Sequence, residues 1–383
     1  MLLNLPELAT PDTPDVSADR LRLHDWNFPD SDDASIHAIH PYPAKFISSI
    51  PRTLISGLGV QPGTSVMDPF CGAGTTLVVA QELGVPSIGI DLNPIACLIS
   101  RVKTSPLPGG LMTKALRVIE AATLRSASVP SIPNLAHWFS EEVRRSIAAL
   151  VAQIDQVLDA ALRDHLRLAL SSIIVRVSNQ ESDTRYAAVN KPLSPRSVRD
   201  YFLTACARLE EAKTTRPIPT MPARILESDI LAVTPELVGS PVSLVVTSPP
   251  YPNAYEYWLY HKYRMWWLGY DPIAVKNLEI GARAHYFRKQ HATFEDFRAQ
   301  MAQVLSLLEA VLTPGGYACF VIGRSRIHGV DYDNADMIAS EAKRVGFLEA
   351  ARISRVIRAD RKSFNLAHAR IKTEEVLVLR RAS

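Results

Sequence analysis

Two short stretches of this sequence combine residue types and spacings that could do chemistry. The first is Asp68-Pro69-Phe70-Cys71-Gly72-Ala73-Gly74-Thr75-Thr76, between the apolar run SVMD and the segment TTLVVAQELG. Glycines let a chain turn tightly and bring its backbone close to a ligand. Three ligand classes use such loops. A triphosphate loop needs Lys after its last glycine, where Thr75 stands. A dinucleotide loop needs a third glycine three residues beyond Gly74, where Leu77 stands. The class left is the S-adenosylmethionine loop, which has no pyrophosphate to seat. Asp91 ends the next strand in GID and could accept both ribose hydroxyls of a nucleoside, while Asp68 could meet the ligand's amino group. The plainer alternative is a set of turn glycines and a helix-capping Asp.

The second stretch is Thr247-Ser248-Pro249-Pro250-Tyr251, directly after SLVV. An exocyclic amine on an aromatic base is a poor nucleophile, because its lone pair is delocalised into the ring. Acceptors on both N–H groups let the nitrogen move toward tetrahedral geometry. Ser248 Oγ and the Pro249 carbonyl could be those acceptors, with Pro249 and Pro250 stiffening the turn. Tyr251 could stack on a base swung out of a duplex. The plainer alternative is a Pro-Pro turn with a packed tyrosine.

Both stretches need strands to position them. Residues 65–92 read as strand, glycine loop, helix and strand, a βαβ unit with parallel strands. ARILES, PVSLVVT, GYACFVIG and EEVLVLRR read as later strands, separated by helices such as FEDFRAQMAQVLSLLEAVL. Alternating β and α elements imply a mostly parallel sheet covered on both faces. Ligand sites in such sheets lie beyond the carboxyl ends of strands, so the two stretches belong side by side. Between them the pattern changes. Val143, Ile147, Leu150, Ile154 and Val157, then Leu162, Leu166, Ala169, Ile173 and Val177, recur at helical spacing. Ser140 and Ser194-Pro195 look like helix starts. The expected division is a loosely ordered lead-in over 1–36, a cofactor-binding part over 37–104, a helical insertion over 105–222, and the rest of the same catalytic domain over 223–383.

The bulk properties permit this. The 383 residues are 47% hydrophobic and 21% charged, an ordinary globular profile. The net charge of +3 neither demands nor excludes a polyanionic partner. Four scattered cysteines with no CxxC pair argue against a disulfide framework or a zinc site, and suit a reducing cytoplasm. The start MLLNLPELATPDTPD does not read as a secretion signal, and no apolar run reaches membrane-spanning length.

In order and wording, these motifs resemble those of the bacterial DNA amino-methyltransferases, which methylate cytosine N4 or adenine N6. DPFCGAGTT resembles the family's cofactor motif, TSPPY its catalytic motif, and IHPYPAKF at 39–46 the upstream segment that encloses the methionine end of the cofactor. The likeness covers 37–104 and 223–379 and leaves the insertion unexplained. It implies a Rossmann-like α/β methyltransferase sheet with an antiparallel last strand, and S-adenosylmethionine as cofactor with no metal. It carries cofactor contact over to Tyr42, Lys45, Phe46, Asp68, Phe70, Gly72, Gly74, Thr75, Thr76, Asp91, Asn93 and Asp229. Asp91 and Asp229 match the acidic positions for ribose and the adenine amine. Ser248 at the head of the tetrad points to cytosine N4. No Pro-Cys nucleophile of the cytosine-C5 type stands here. The implied partners are double-stranded DNA and a separately encoded restriction endonuclease.

DNA would need to be held near the tetrad. Basic and aromatic residues interleave over 252–291; Arg283, Arg288 and Lys289 are the candidate phosphate contacts, whereas Trp266 and Trp267 look like packing. In the insertion, Asn179, Gln180 and Arg185 are of types that read base edges, and equally of types that make loop hydrogen bonds. The rival readings are an adenine-N6 enzyme, an RNA amino-methyltransferase, and a catalytically silent DNA-binding protein on the same fold.

Overall fold

The computed structural model describes residues 16–29, 35–43, 45, 47–125, 127–183, 185–216, 220–252, 256–287, 289, 291–356 and 373–383. Its centre is a seven-stranded sheet. In chain order the strands are β1 (Ser65–Asp68), β2 (Ser87–Asp91), β3 (Ala223–Glu227), β4 (Val242–Thr247), β5 (Leu312–Gly323), β8 (Phe347–Val356) and β9 (Thr373–Arg381). A small separate hairpin, β6 (Ser325–Ile327) and β7 (Val330–Tyr332), follows β5. The sheet order is β3-β2-β1-β4-β5-β9-β8. Only β9 runs against its neighbours. This is the mostly parallel sheet with an antiparallel last strand that the sequence implied.

The strand order reverses between β1 and β4, which pair in parallel with Met67 opposite Val245. Chains leaving these two strands diverge to opposite sides and leave a crevice at their carboxyl ends. The glycine loop follows β1 and the TSPPY turn follows β4. The two stretches that could do chemistry therefore meet at one end of the sheet, on adjacent strands.

Both faces of the sheet are covered, and alternation along each strand decides which side a residue serves. Val66, Leu244, Val246, Cys319 and Val321 face the helix Ser49–Leu58. Met67, Val245, Ala318, Phe320 and Ile322 face the helices Phe294–Val311 and Asn334–Arg344. The first of these two helices starts on a capping box between Thr293 and Asp296.

The lead-in expected to be loose differs in part. Residues Val16–Leu21 form a helix, and Ala18, Leu21 and Trp26 are buried against the face that carries Val66. Trp26 Nε1 donates to the Leu21 carbonyl, and Arg355 Nε of β8 donates to the Trp26 carbonyl. Two apolar residues five apart, in a polar context, close over an otherwise open sheet face.

The insertion is helical, with its longer helices at Leu111–Leu124, Glu141–Asp155, Ala160–Ile173 and Pro195–Thr214. All ten positions of its two apolar stripes are buried. They share one core with Ile95, Leu98 and Val102 of the helix Pro94–Thr104, and with Met265 and Trp267 of the helix Tyr257–Trp267. Ser194 makes a full capping box; Ser140 stands at its helix start without a side-chain cap bond.

Gly89 in β2 lies under the glycine loop, where a Cβ would stand 2.6 Å from Leu77 Cδ1 and 2.9 Å from Cys71 Sγ. Gly89→Ala is expected to cost about 1–3 kcal/mol through overpacking. A lowered denaturant midpoint with an unchanged slope checks it.

Candidate active site

The glycine loop is held by side chains beneath it. Asp68, at the tip of β1, accepts from Phe70 N at 3.1 Å, from Thr76 Oγ1 at 2.8 Å and from Thr247 Oγ1 at 2.7 Å. Burial pushes its carboxyl up to about 6, against the pull of those three donors. Ser100 Oγ donates to the Gly72 carbonyl, and the buried Lys103 Nζ to the Ala73 carbonyl at 2.8 Å. Gly72 and Gly74 both take positive φ, and a Cβ on Gly74 would meet Ser100 Oγ at 2.7 Å. The loop needs glycine there for both reasons.

Asp91, at the tip of β2, accepts from Gly72 N through Oδ2 and from Asn93 N through Oδ1, each at 2.8 Å. Burial pushes it up to about 6 as well. Each oxygen keeps acceptor capacity toward the crevice. There a cavity with about 840 Å3 of empty space, part of it open to solvent, opens at the carboxyl ends of β1 and β4. Tyr42, Lys45, Phe70, Gly72, Thr75, Asp91, Asn93, Asp229, Ser248 and Pro250 all line it. The structure thus brings residues from both motifs and from the upstream segment to one wall.

Other sequence-picked residues sit elsewhere. Asp68 and Thr76 lie behind the loop, bonded to each other. Asp68 is 1% exposed and takes three donors from within the protein, so a direct bond to a ligand amino group gives way to a bracing role. Gly74 shapes the loop from behind, and Pro249 is buried. Phe46 lies outside the described residues.

Tyr251 is turned inward rather than presented to the crevice. It is 7% exposed and packs among the residues on the Val245 side of the sheet. Its hydroxyl lies 3.4 Å from Ser248 Oγ and donates to the Val321 carbonyl at 3.4 Å. A free stacking face is not what it offers here, because the aromatic ring fills core space at the end of β4.

Sequence reasoning missed Glu279 and Ile280 and took Tyr257 only as part of the aromatic stretch that would hold DNA; all three line the cavity. Glu279 accepts from Tyr257 N at 2.9 Å and from Trp258 N at 2.7 Å, capping the helix Tyr257–Trp267 from 22 residues downstream. Burial pushes its carboxyl up to about 8. Tyr257 stacks on Tyr42, which stacks in turn on His261. The one hint in the sequence was a helix start with no Ser, Thr, Asp or Asn at the residue before it, a gap that a distant acceptor fills.

The residues proposed to hold DNA divide. Gln180 is 1% exposed; its Nε2 donates to the Ser182 carbonyl and its amide to Ser178 Oγ, so it builds its own loop and cannot reach a base edge. Asn179 Nδ2 donates to the His137 carbonyl. Arg185 is exposed beside Glu181 at 2.9 Å. Arg283 and Lys289 are exposed, and Arg288 lies outside the described residues. Trp267 is buried, as the packing alternative held.

The sheet order, the crevice and the loop define a Rossmann-like methyltransferase architecture. Residues 15–101 match the family model described as DNA methylase. The chain is 26% identical over 239 residues to a type II methyltransferase, M.MvaI, of Kocuria varians, covering 56% of this chain and 53% of that protein. It is 23% identical over 278 residues to a type II methyltransferase, M.BsoBI, of Geobacillus stearothermophilus, covering 64% and 55%. It therefore spans about half the length of these relatives. Among solved structures, a TehB-like S-adenosylmethionine-dependent methyltransferase of Corynebacterium glutamicum aligns over 86% of this chain and 85% of its own, at 11% identity and a TM-score of 0.32. The matched model and relatives make the chain similar to DNA amino-methyltransferases, without separating cytosine-N4 from adenine-N6 members.

Thr247→Val would delete one donor to Asp68. Leaving a buried carboxylate short of a donor is expected to cost about 1–3 kcal/mol at neutral pH. A carboxyl raised above its ordinary value loses stability as pH climbs from near 4 through about 6. The variant's deficit in urea unfolding should therefore shrink at pH 5, where Asp68 is protonated. A deficit constant across pH would mean that Asp68 does not carry it.

Proposed function

We propose that the protein transfers a methyl group from S-adenosylmethionine to the exocyclic amino nitrogen of a base in DNA, with cytosine N4 as the acceptor. The observation that carries this reading is the shared cavity: Gly72 and Asp91 from one motif and Ser248 and Pro250 from the other line the same crevice.

The wall fits the cofactor. Asp91 and Asp229 offer acceptors for hydroxyls and an amine, and Glu279, whose carboxyl is held protonated to about pH 8 by burial, adds a third acidic group that a cationic ligand would draw toward its charged form. Asn93 lines the cavity, and its buried Nδ2 has no hydrogen-bond partner among the described residues, so a polar ligand there could satisfy it. The positive-φ glycines bring backbone to the surface without side chains in the way. When bound, S-adenosylmethionine supplies an electrophilic methyl on a sulfonium.

The chain's own residues do the rest. Ser248 Oγ and the carbonyl of Pro249, whose ring is buried but which stands between the cavity-lining Ser248 and Pro250, accept the two amine hydrogens and free the lone pair from the ring. The amine ends with one hydrogen fewer, and that proton leaves through the hydrogen-bonded acceptors to solvent. Tyr251 holds Ser248 in place through the hydroxyl contact at 3.4 Å. Ser248 at the tetrad head, rather than Asp or Asn, supports cytosine N4 over adenine N6. The type II names of the relatives support a place in restriction-modification, with a separately encoded endonuclease as partner.

Nucleoside mass spectrometry of DNA from cells expressing the protein should show N4-methylcytosine. N6-methyladenine alone would reassign the acceptor, and unmodified DNA with methylated RNA would reassign the substrate. Asp91→Ala is expected to weaken cofactor binding about tenfold or more, as loss of a hydrogen-bonded charged group would; unchanged affinity by calorimetry would remove Asp91 from the site. In the parent protein, cofactor affinity should decline as pH is lowered through about 6, because protonated Asp91 loses acceptor strength. A flat profile from pH 7.5 to 5 would contradict that.

A further inference from the structure

A second feature, toward the same end of the sheet, is absorbed by neither the cofactor loop nor the TSPPY turn. Phe287 is 55% exposed, and the Arg283 guanidinium covers one side of it at 5.1 Å from the ring centroid. His328 meets the ring at 5.4 Å and 60°, and His291 meets His328 at 5.0 Å and 66°. Three exposed rings from two distant segments are thus in contact in solvent. His328 sits at the tip of the β6–β7 hairpin with φ +48°, and Gly329 follows with φ +87°. Positive φ at both turn positions marks the tight hairpin turn that twisted strands prefer. The hairpin base is fixed: Tyr332 stacks on Phe294 at 4.1 Å, and Asn334 Nδ2 donates to the Gly323 carbonyl and to Ser325 Oγ.

The placement follows from the chain. The hairpin leaves the carboxyl end of β5, next to β4 and the Ser248 turn. Gly281, two residues before Arg283, lies so close to Tyr251 that a Cβ would stand 2.8 Å from its carbonyl. The charges are complementary to a polyanion. Asp331 and Asp333 of the hairpin pair with Arg326 and Arg324. Among the described residues no carboxylate pairs with Arg283 or Lys289.

We infer that Phe287, seated between Arg283 and His328, is a stacking platform for a base of DNA opened at the active site, with Arg283 and Lys289 on the adjoining phosphates. The inference rests on the DNA reading above and adds a contact to it. Opening a duplex to extract one base exposes the π-faces of its neighbours, and an exposed aromatic ring beside free cations is the surface that takes such a face. An apolar protein partner is the less suited occupant, because a guanidinium and an imidazole flank the ring.

The test compares a short mixed-sequence duplex carrying a central abasic site with the same duplex intact. The parent protein should bind the abasic duplex more tightly. Phe287→Ala should lose about five- to hundredfold in that affinity, the range of one base stack, with intact-duplex and cofactor affinity changed less than the abasic affinity. Phe287→Trp should restore the preference. Arg283→Glu should lower the salt slope for both duplexes. Equal abasic-duplex binding by Phe287→Ala and the parent protein, with DNA methylation intact, would overturn the platform alone. No binding of either duplex and no DNA methylation by the parent protein would overturn the DNA reading and the platform with it.

Discussion

The arrangement at the crevice depends on one buried carboxylate. Asp68 ends β1, and its three donors come from the loop after it, the helix after the loop and the last residue of β4. Strand pairing alone sets β1 and β4 side by side, but it does not fix how their departing chains are oriented. The bond from Thr247 does, because it ties the residue directly before Ser248 to the residue directly before the glycine loop. A neutral side chain of similar size could fill the space without drawing three donors inward.

That brace is costly, and the cost is repeated around the cavity. Asp68, Asp91 and Glu279 all hold their protons to higher pH than free carboxyls, with desolvation as the largest cause in each case. Asp68 adds to the rise at Asp91, and Asp91 to that at Glu279. A set of carboxylates that disfavour one another is stabilised by a positive charge placed among them. Lys45, on the same wall, donates to the His37 carbonyl at 2.6 Å and is thereby turned partly to structural use. Stability given up at the site is stability available to ligand binding, the usual bargain at functional sites.

Much of this was legible before any coordinates, for identifiable reasons. Glycine spacing, an Asp closing the next strand and a Ser-Pro-Pro-Tyr turn are short-range patterns, so sequence order placed them and parallel-sheet logic brought them together. The apolar stripes of the insertion were equally visible, because helical spacing is local. What was hidden is long-range. Nothing near Glu279 says that it caps a helix starting at Tyr257. Gln180 and Asn179 had the right chemistry for reading bases, yet chain folding spent their amides on the Ser182 and His137 carbonyls. Tyr251 failed in another way: its type was read correctly, but which way its ring points is decided by packing around β4 and β5. The N-terminal helix escaped notice because Leu21 and Trp26 are too few to make a periodic signal.

The insertion, which family likeness left unexplained, is not a separable module. Lys213, at the end of its last long helix, donates to the Val102, Lys103 and Ser105 carbonyls and so closes the helix Pro94–Thr104, whose Lys103 props the glycine loop. A second tie runs through Arg264, 1% exposed, which bonds the Ser171 carbonyl and Asp183 of the insertion from within the helix that Glu279 caps. One turn earlier on that helix, His261 stacks on Tyr42 of the cavity wall, and burial together with the Arg264 charge keeps its imidazole neutral. Both walls of the crevice therefore rest on the insertion through buried, directional bonds. A helical unit joined only by apolar contacts could slide against the sheet; one joined through Arg264 cannot do so without stranding a buried cation, which costs several kcal/mol by order of magnitude, and Lys213, which burial brings down to about 7, would lose three carbonyl partners.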